Sequence, residues 1–250
     1  MATLRALLWD VDGTLADTER DGHRLAFNQA FAEAGLAWQW DVDLYGELLQ
    51  VTGGKERIQF FLERYQPKVS LTEDLTSFIA ELHKRKTHFY LERLQTGAIP
   101  LRTGVKRLLE EARNAGLRLA IVTTTTPENV SYLLTSNLGE DSLNWFDCIA
   151  AGDIVSKKKP APDIYHYALA QLKLKPEDCL AFEDSENGLR AALGAGIQTI
   201  VTVNTYTEQQ DFAGARLVVT DLGEAQQPCK ILQGNLDQPI TIAALRELLG

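Results

Sequence analysis

Two aspartates one residue apart, Asp10 and Asp12, end an apolar run and open a turn in Leu7-Leu8-Trp9-Asp10-Val11-Asp12-Gly13-Thr14-Leu15. A buried central strand delivers carboxylates to its carboxyl end in this way, and open α/β sheets bind ligands at that edge. Side chains at i and i+2 of a strand point the same way, and a chain that turns at Gly13 can divide their roles. One carboxylate can attack while the other handles a proton. A strand followed by an ordinary Asp-Gly turn would give the same letters. A carboxylate pair at a strand end is nevertheless a typical functional arrangement.

Three further strand ends carry residues suited to phosphate chemistry. Leu119-Ala120-Ile121-Val122 runs into Thr123-Thr124-Thr125-Thr126-Pro127, where hydroxyls and backbone N–H groups can hold phosphate oxygens. Taken alone, that cluster reads as a Thr-rich helix cap. Ser156-Lys157-Lys158-Lys159-Pro160-Ala161-Pro162-Asp163 reads as a solvated lysine run, but two prolines stiffen it and Asp163 is placed to cap the next helix. Lys159 would then be held in place to neutralise a phosphoryl group. Phe182-Glu183-Asp184-Ser185 puts paired acids at the end of an apolar strand, where carboxylates repel unless a cation intervenes. With Asp10 and the carbonyl of Asp12 they form a hard oxygen set suited to Mg²⁺.

The periodicity predicts the elements that would position these groups. After Leu15 the pattern becomes helical, with Leu25, Ala26, Phe27, Ala30, Phe31 and Ala34 as an apolar stripe and Gly35 as the stop. Up to about residue 94 only amphipathic helices are expected, around 48–49, 58–62, 75–82 and 89–94, broken by Gly53-Gly54 and Pro67. From residue 100 helices alternate with strands: a helix from Thr103-Gly104 to Gly116, strands 117–122 and 146–151, helix 163–172, strand 179–182, helix 188–193, strands 197–203 and 217–219, and a last helix 242–249. Such alternation implies parallel strands joined by right-handed crossovers. The expected fold class is α/β: a Rossmann-like parallel sheet core (1–16 and 98–250) with helices on both faces, plus an inserted all-helical cap domain (17–97).

Composition bounds the partners. The chain has 250 residues, 45% hydrophobic and 24% charged, which supports a globular protein of one or two domains. A net charge of −9 argues against a general nucleic-acid or anionic-membrane binder. Cys148, Cys179 and Cys229 are odd in number and far apart, so neither a disulfide framework nor a C-x-x-C metal site is suggested. No apolar run approaches a membrane span, and strand-like sequence begins too early for a signal peptide. A soluble, cytoplasmic monomer is expected.

The order Asp-x-Asp-Gly-Thr, strand-end Thr, Lys before Pro, then Glu-Asp resembles the four motifs of the haloacid dehalogenase superfamily. The resemblance implies that Asp10 is a nucleophile forming an aspartyl-phosphate and Asp12 the general acid/base. It further implies that Thr123, Thr124 and Lys159 bind phosphate, and that Asp10, Asp12, Glu183 and Asp184 hold Mg²⁺. A carboxylate is a recognised phosphoryl acceptor, and a metal with fixed cations offsets charge in such transfers. The helical insert resembles the type-1 cap of sugar-phosphate phosphatases and β-phosphoglucomutases. Asp17-Thr18-Glu19-Arg20-Asp21-Gly22-His23-Arg24, Thr52-Gly53-Gly54-Lys55-Glu56-Arg57-Ile58 and His83-Lys84-Arg85-Lys86-Thr87-His88-Phe89-Tyr90 resemble the CbbY-type phosphatases of xylulose 1,5-bisphosphate. That likeness implies a phosphorylated sugar as ligand, with Glu19, His23, Lys55, Arg57, His83 and Lys86 as substrate-binding residues. His23 falls one residue later than the hinge histidine of the mutases, which weighs against the β-phosphoglucomutase alternative. A non-catalytic phosphate-binding regulator is the rival of another class.

Overall fold

The computed structural model describes residues 3–51, 53–68, 74–236 and 239–249, so Thr52 of the second cap segment lies outside the described residues. The chain divides into two compact units, Met1–Asp17 with Pro100–Gly250, and Thr18–Ile99.

The first unit is a seven-stranded sheet with the order β3-β2-β1-β4-β5-β6-β7. Its strands are β1 (Ala6–Trp9), β2 (Arg118–Val122), β3 (Cys148–Ala150), β4 (Cys179–Glu183), β5 (Gln198–Thr202), β6 (Leu217–Val219) and β7 (Ile231–Gln233). β1 lies between β2 and β4, both parallel to it, so the strand order reverses at β1 and opens the crevice in which such sheets bind ligands. All four residues of β1 are fully buried, as a strand covered on both faces requires. β7 is an antiparallel edge strand on β6. The sequence pattern beyond Pro228 gave no sign of it, because two of its three residues are exposed and no alternation marks it.

Alternation along the strands sorts their side chains. Ala6 and Leu8 of β1, Ala120 and Val122 of β2, and Cys179 and Ala181 of β4 share one core cluster with Ile164 and Tyr165. By the two-residue period Asp10, just past β1, and Glu183, the last residue of β4, continue that face. Trp9 and Phe182 take the opposite face and stack with ring centroids 3.9 Å apart.

The helices of this unit that bear on the site are, in chain order among all helices, α5 (Val105–Asn114), α6 (Pro127–Leu138), α7 (Asp163–Leu172) and α8 (Glu186–Gly194), with α9 (Ile242–Leu249) near the carboxyl end. Asp163 begins α7 rather than capping it: Pro162 occupies the cap position, and Asp163 contributes only a negative charge to the first turn. α8 starts two residues earlier than its apolar pattern suggests, because Ser185 caps it by accepting from Gly188 N at 3.2 Å.

Among its described residues the regular elements of the second unit are all helices. A π-helical turn (Thr18–His23) runs into α1 (Arg24–Glu33), followed by α2 (Val42–Leu48), α3 (Gly54–Tyr65) and α4 (Leu75–Gln95). The two separate helices expected over 75–94 are one of 21 residues. Ile79, Leu82, Lys86, Tyr90 and Leu94 form its buried stripe, a helical spacing that carries the chain through the polar stretch between the two apolar clusters. Phe27, Phe31, Trp38, Trp40, Tyr45 and Phe61 form a contiguous aromatic core. Among the described residues no helix is long and apolar enough to cross a membrane.

Candidate active site

Asp10 follows β1 directly and is tied to its neighbour by Asp10 N donating to the Phe182 carbonyl at 3.0 Å. The register that pairs Trp9 with Ile121 and Phe182 sets Asp10 beside the ends of β2 and β4, hence beside Thr123 and Glu183. Lys159 reaches this point from the loop before α7. Its ammonium donates to Asp10 Oδ1 at 2.7 Å, to Glu183 Oε1 at 2.6 Å and to the Val122 carbonyl at 2.9 Å. The structure thus distinguishes the three lysines: Lys157 is exposed, Lys158 pairs with Asp153 at 2.7 Å, and Lys159 is inside. Burial alone would lower the Lys159 pKa, but Asp10 and Glu183 overcome it and hold the group above its ordinary value, so the lysine is charged.

Ligand atoms of Asp10, Glu183 and Asp184 lie within 4.8 Å of one another, and all three residues are buried. Three buried carboxyl groups thus crowd around the Lys159 ammonium. Burial raises the Glu183 pKa to about 7, with Asp10 adding repulsion and Lys159 opposing. Asp184 is raised by burial first, then by Asp10 and Glu183. Tyr165 donates to Glu183 Oε1 and is itself kept protonated by burial and by that carboxylate. Glu183 Oε2 is buried with no hydrogen-bond partner. Added Cβ atoms would sit 1.8 Å from that oxygen at Gly188 and 2.1 Å from Asp184 Oδ2 at Gly13, so two glycines make room for the acids. A hard, all-oxygen pocket of crowded carboxyl groups with an unsatisfied carboxylate oxygen fits a divalent cation such as Mg²⁺.

Asp12 is half-buried in the turn after β1, which Gly13 makes with φ +82°. Of the threonines, Thr123 is buried at the end of β2 and its hydroxyl accepts from Thr125 N at 3.2 Å. Thr124 is exposed, and Thr126 caps α6 by accepting from Asn129 N at 3.3 Å. Cap and candidate phosphate site are therefore different residues of one cluster.

The second unit has a cluster of its own. Lys86 is buried, and its Nζ lies 2.8 Å from His23 Nδ1 and 5.1 Å from the centroids of Phe27 and Tyr90. His23 stacks on Tyr90 with centroids 3.7 Å apart. Burial lowers its pKa well below the ordinary value, and Lys86, Arg57 and His83 lower it further. The imidazole is neutral, accepts from the Lys86 ammonium at Nδ1, and keeps Nε2–H as a donor. His83 is lowered in the same way by burial, Lys86 and Lys55. Gly54 lets it pack close, since a Cβ there would lie 2.5 Å from His83 Nε2. Lys55 is exposed one residue on. Arg57, expected to bind substrate, is turned into the unit. Its guanidinium donates to the Tyr45 hydroxyl at 2.9 Å and to the carbonyls of Leu48 and Val51 at 3.3 and 3.4 Å. The Tyr45 hydroxyl in turn donates to Glu19 Oε2 at 2.6 Å, so Arg57 orients Glu19 through Tyr45. Sequence reasoning missed Tyr45, Tyr165 and Asn204, whose Nδ2 donates to Asp184 Oδ2 at 2.7 Å; each acts through another polar group, which no local pattern marks.

The family model of the haloacid dehalogenase-like hydrolases matches residues 4–196. The plasmid-encoded CbbY protein of Cupriavidus necator is 47% identical over 97% of this chain and 96% of its own length. CbbY from Rhodobacter sphaeroides, solved with phosphate and as a D10N mutant with xylulose-(1,5)bisphosphate, is 46% identical and superposes with a TM-score of 0.73, covering 87% of this chain and 94% of that one. The phosphorylated carbohydrates phosphatase of Thermotoga maritima is 29% identical over 80% of this chain and 85% of its own length. With the strand-end aspartates, lysine and acidic pair all in place, the chain belongs to the haloacid dehalogenase-like hydrolases and is a phosphatase.

Proposed function

We propose that this chain is a Mg²⁺-dependent sugar-phosphate phosphatase that works through a phosphorylated Asp10, with a ketopentose bisphosphate such as xylulose 1,5-bisphosphate as substrate. The observation that carries the reading is the Asp10 carboxylate held by the Lys159 ammonium at 2.7 Å, beside two further buried acids. One oxygen of Asp10 is fixed by Lys159 and the carboxylate can attack phosphorus. The bond from Asp10 to phosphorus forms as the bond to the sugar oxygen breaks, and Asp12 gives that oxygen its proton. Asp12 then takes a proton from water, which attacks the same phosphorus and frees Asp10 and inorganic phosphate. Asp10, Glu183, Asp184 and the carbonyl of Asp12 would hold the Mg²⁺, which supplies compensation for the developing negative charge. Lys159, Thr123 and Thr124 bind the transferred phosphoryl group.

The substrate class is supported by the xylulose-(1,5)bisphosphate complex of the Rhodobacter sphaeroides protein and by the Lys55, His83, Lys86 and His23 group, which offers donors for a second phosphate in a chain of net charge −9. Glu19 suits sugar hydroxyls. Cys148, Cys179 and Cys229 are buried and form no disulfide, in keeping with a reducing cytoplasmic compartment, and the enzyme is taken to act as a monomer.

The test is a panel of sugar mono- and bisphosphates with Mg²⁺. Xylulose 1,5-bisphosphate should be hydrolysed with a kcat/KM far above that of the monophosphates. Isomerisation of β-glucose 1-phosphate with little free phosphate would replace the reading with a mutase. No turnover of any ester would leave the non-catalytic regulator.

A further inference from the structure

The turn that carries Asp12 has to be held on the side away from β1, and a residue outside the four motifs holds it. Arg102 lies in the short segment between Pro100 and α5, and its side chain is only 9% exposed. Its Nη1 donates to the carbonyl of Gly13, and to the carbonyl and hydroxyl of Thr202 at 2.9 and 3.2 Å. Its Nη2 donates to the carbonyls of Val203 and Thr220 at 2.5 and 2.9 Å. Nε lies 3.5 Å from Asp17 Oδ1, and the backbone N–H donates to the Leu15 carbonyl at 2.8 Å. Both terminal nitrogens of the guanidinium are thereby engaged, and Nε adds an ion pair with Asp17.

Those partners come from three places: the turn after β1, the carboxyl ends of β5 and β6, and Asp17. Gly13 is also pressed against the far side of the acidic group, since a Cβ there would sit 2.1 Å from Asp184 Oδ2 and 2.7 Å from Asn204 Nδ2. Asp12 is thus fixed between Asp10, which the sheet holds, and Gly13, which Arg102 holds. Lysine could not substitute, because three donors on a point charge cannot span carbonyls spread across a planar fork.

We propose that Arg102 is a positioning residue for phosphoryl transfer, clamping the Asp12–Gly13 turn onto the ends of β5 and β6 so that the Asp12 carboxyl stays in proton-transfer reach of the leaving oxygen. Arg102 touches no reacting atom in this role. Its loss should act on proton delivery and hence on esters whose leaving group needs a proton. A residue that merely held the fold together would affect all esters alike.

The inference rests on the phosphatase reading, and one comparison separates the two. The kcat/KM of Arg102→Lys and of wild type is measured on xylulose 1,5-bisphosphate, or whichever sugar phosphate leads the panel, and on p-nitrophenyl phosphate, with the folded fraction of each protein taken from thermal unfolding. The sugar phosphate should lose roughly 10²-fold, the cost of a small misplacement. The nitrophenyl ester, whose leaving group departs without a proton, should lose roughly tenfold or less. Equal loss on both esters overturns the proposal, as does no loss on either. Arg102→Gln, which keeps a planar donor head, repeats the comparison if Arg102→Lys does not fold; if neither folds, Arg102 serves folding and the proposal falls. A wild type inert toward both esters sinks the phosphatase reading instead.

Discussion

At the scale of single residues the site is asymmetric in a way that assigns roles. Asp10 is tied to Lys159 at 2.7 Å, whereas Asp12 stands half-buried in the turn, so removing each should cost differently. Asp10→Asn keeps size and polarity but removes the attacking oxygen, and phosphate release should fall to background. Asp12→Asn should lose roughly 10²- to 10⁴-fold, the usual worth of general acid–base catalysis. Steady-state phosphate release from both variants, with circular dichroism to confirm folding, checks the pair. In the second unit Lys86→Ala should weaken hydrolysis of a ketopentose bisphosphate about 10- to 150-fold, as loss of one charge-assisted contact of about 1.5–3 kcal/mol, and leave the monophosphate nearly unchanged. Equal loss on the two esters would mean that Lys86 serves only to hold His23. Arg57 is less suited to such a test, since it is buried and its guanidinium donates to Tyr45, Leu48 and Val51.

Among the elements, α8 is the one whose packing the acids constrain most. Gly188 lies in its first turn, where Ser185 caps it, and any side chain would enter the space of the Glu183 carboxylate, 1.8 Å away. Gly188→Ala should destabilise the first unit by about 1–3 kcal/mol, as overpacking of a well-filled site does, and displace Glu183 from Lys159. A variant with unchanged midpoint in urea and unchanged turnover would show that Glu183 can move aside freely. Substitution in the middle of a helix is ordinarily favourable for glycine to alanine, so the sign of the change is itself diagnostic.

For the whole molecule, charge balance and burial predict how conditions change stability. The native protein should gain about 2.7 kcal/mol of stability from Mg²⁺ at a concentration 100 times the dissociation constant, read as a rise in thermal midpoint. A chelator should silence the enzyme and Mg²⁺ restore it; full activity in EDTA would overturn the assignment of Glu183 and Asp184 as ligands. Acid should act through the histidines. The folded pKa of His23 is lowered well below 6.5 by burial, then by Lys86, Arg57 and His83, so the unfolded chain binds a proton that the native one refuses. The neutral imidazole therefore contributes stability that is present above pH 6.5 and lost as pH falls below it. His83 acts with the same sign. Glu183 and Asp184, whose folded pKa values are raised, act with the opposite sign over this window, so the measurement is differential: from pH 7.5 to 5 the thermal midpoint of wild type should fall relative to that of His23→Asn, and parallel curves would refute the burial of a neutral His23.

What the sequence determined was what short-range chemistry determines. An apolar run into Asp10, Thr-rich and acidic strand ends, and a lysine fixed before proline are local patterns, because a parallel strand buried on both faces must be apolar to its last residue and can turn polar only at its end. The helical second unit was legible from periodicity, although the polar stretch in the middle of α4 hid that Leu75–Gln95 is one helix. Tertiary structure set the Lys159 ammonium 2.7 Å from Asp10 while Lys158 pairs with Asp153 and Lys157 is exposed. It also decided that Arg57 faces inward, that Tyr165 and Asn204 hold Glu183 and Asp184, and that Arg102 reaches partners 89 to 118 positions away from it. Such contacts have no period and no fixed spacing: a guanidinium is committed by the carbonyls that the fold happens to leave at its fork, and those are known only once the sheet is assembled.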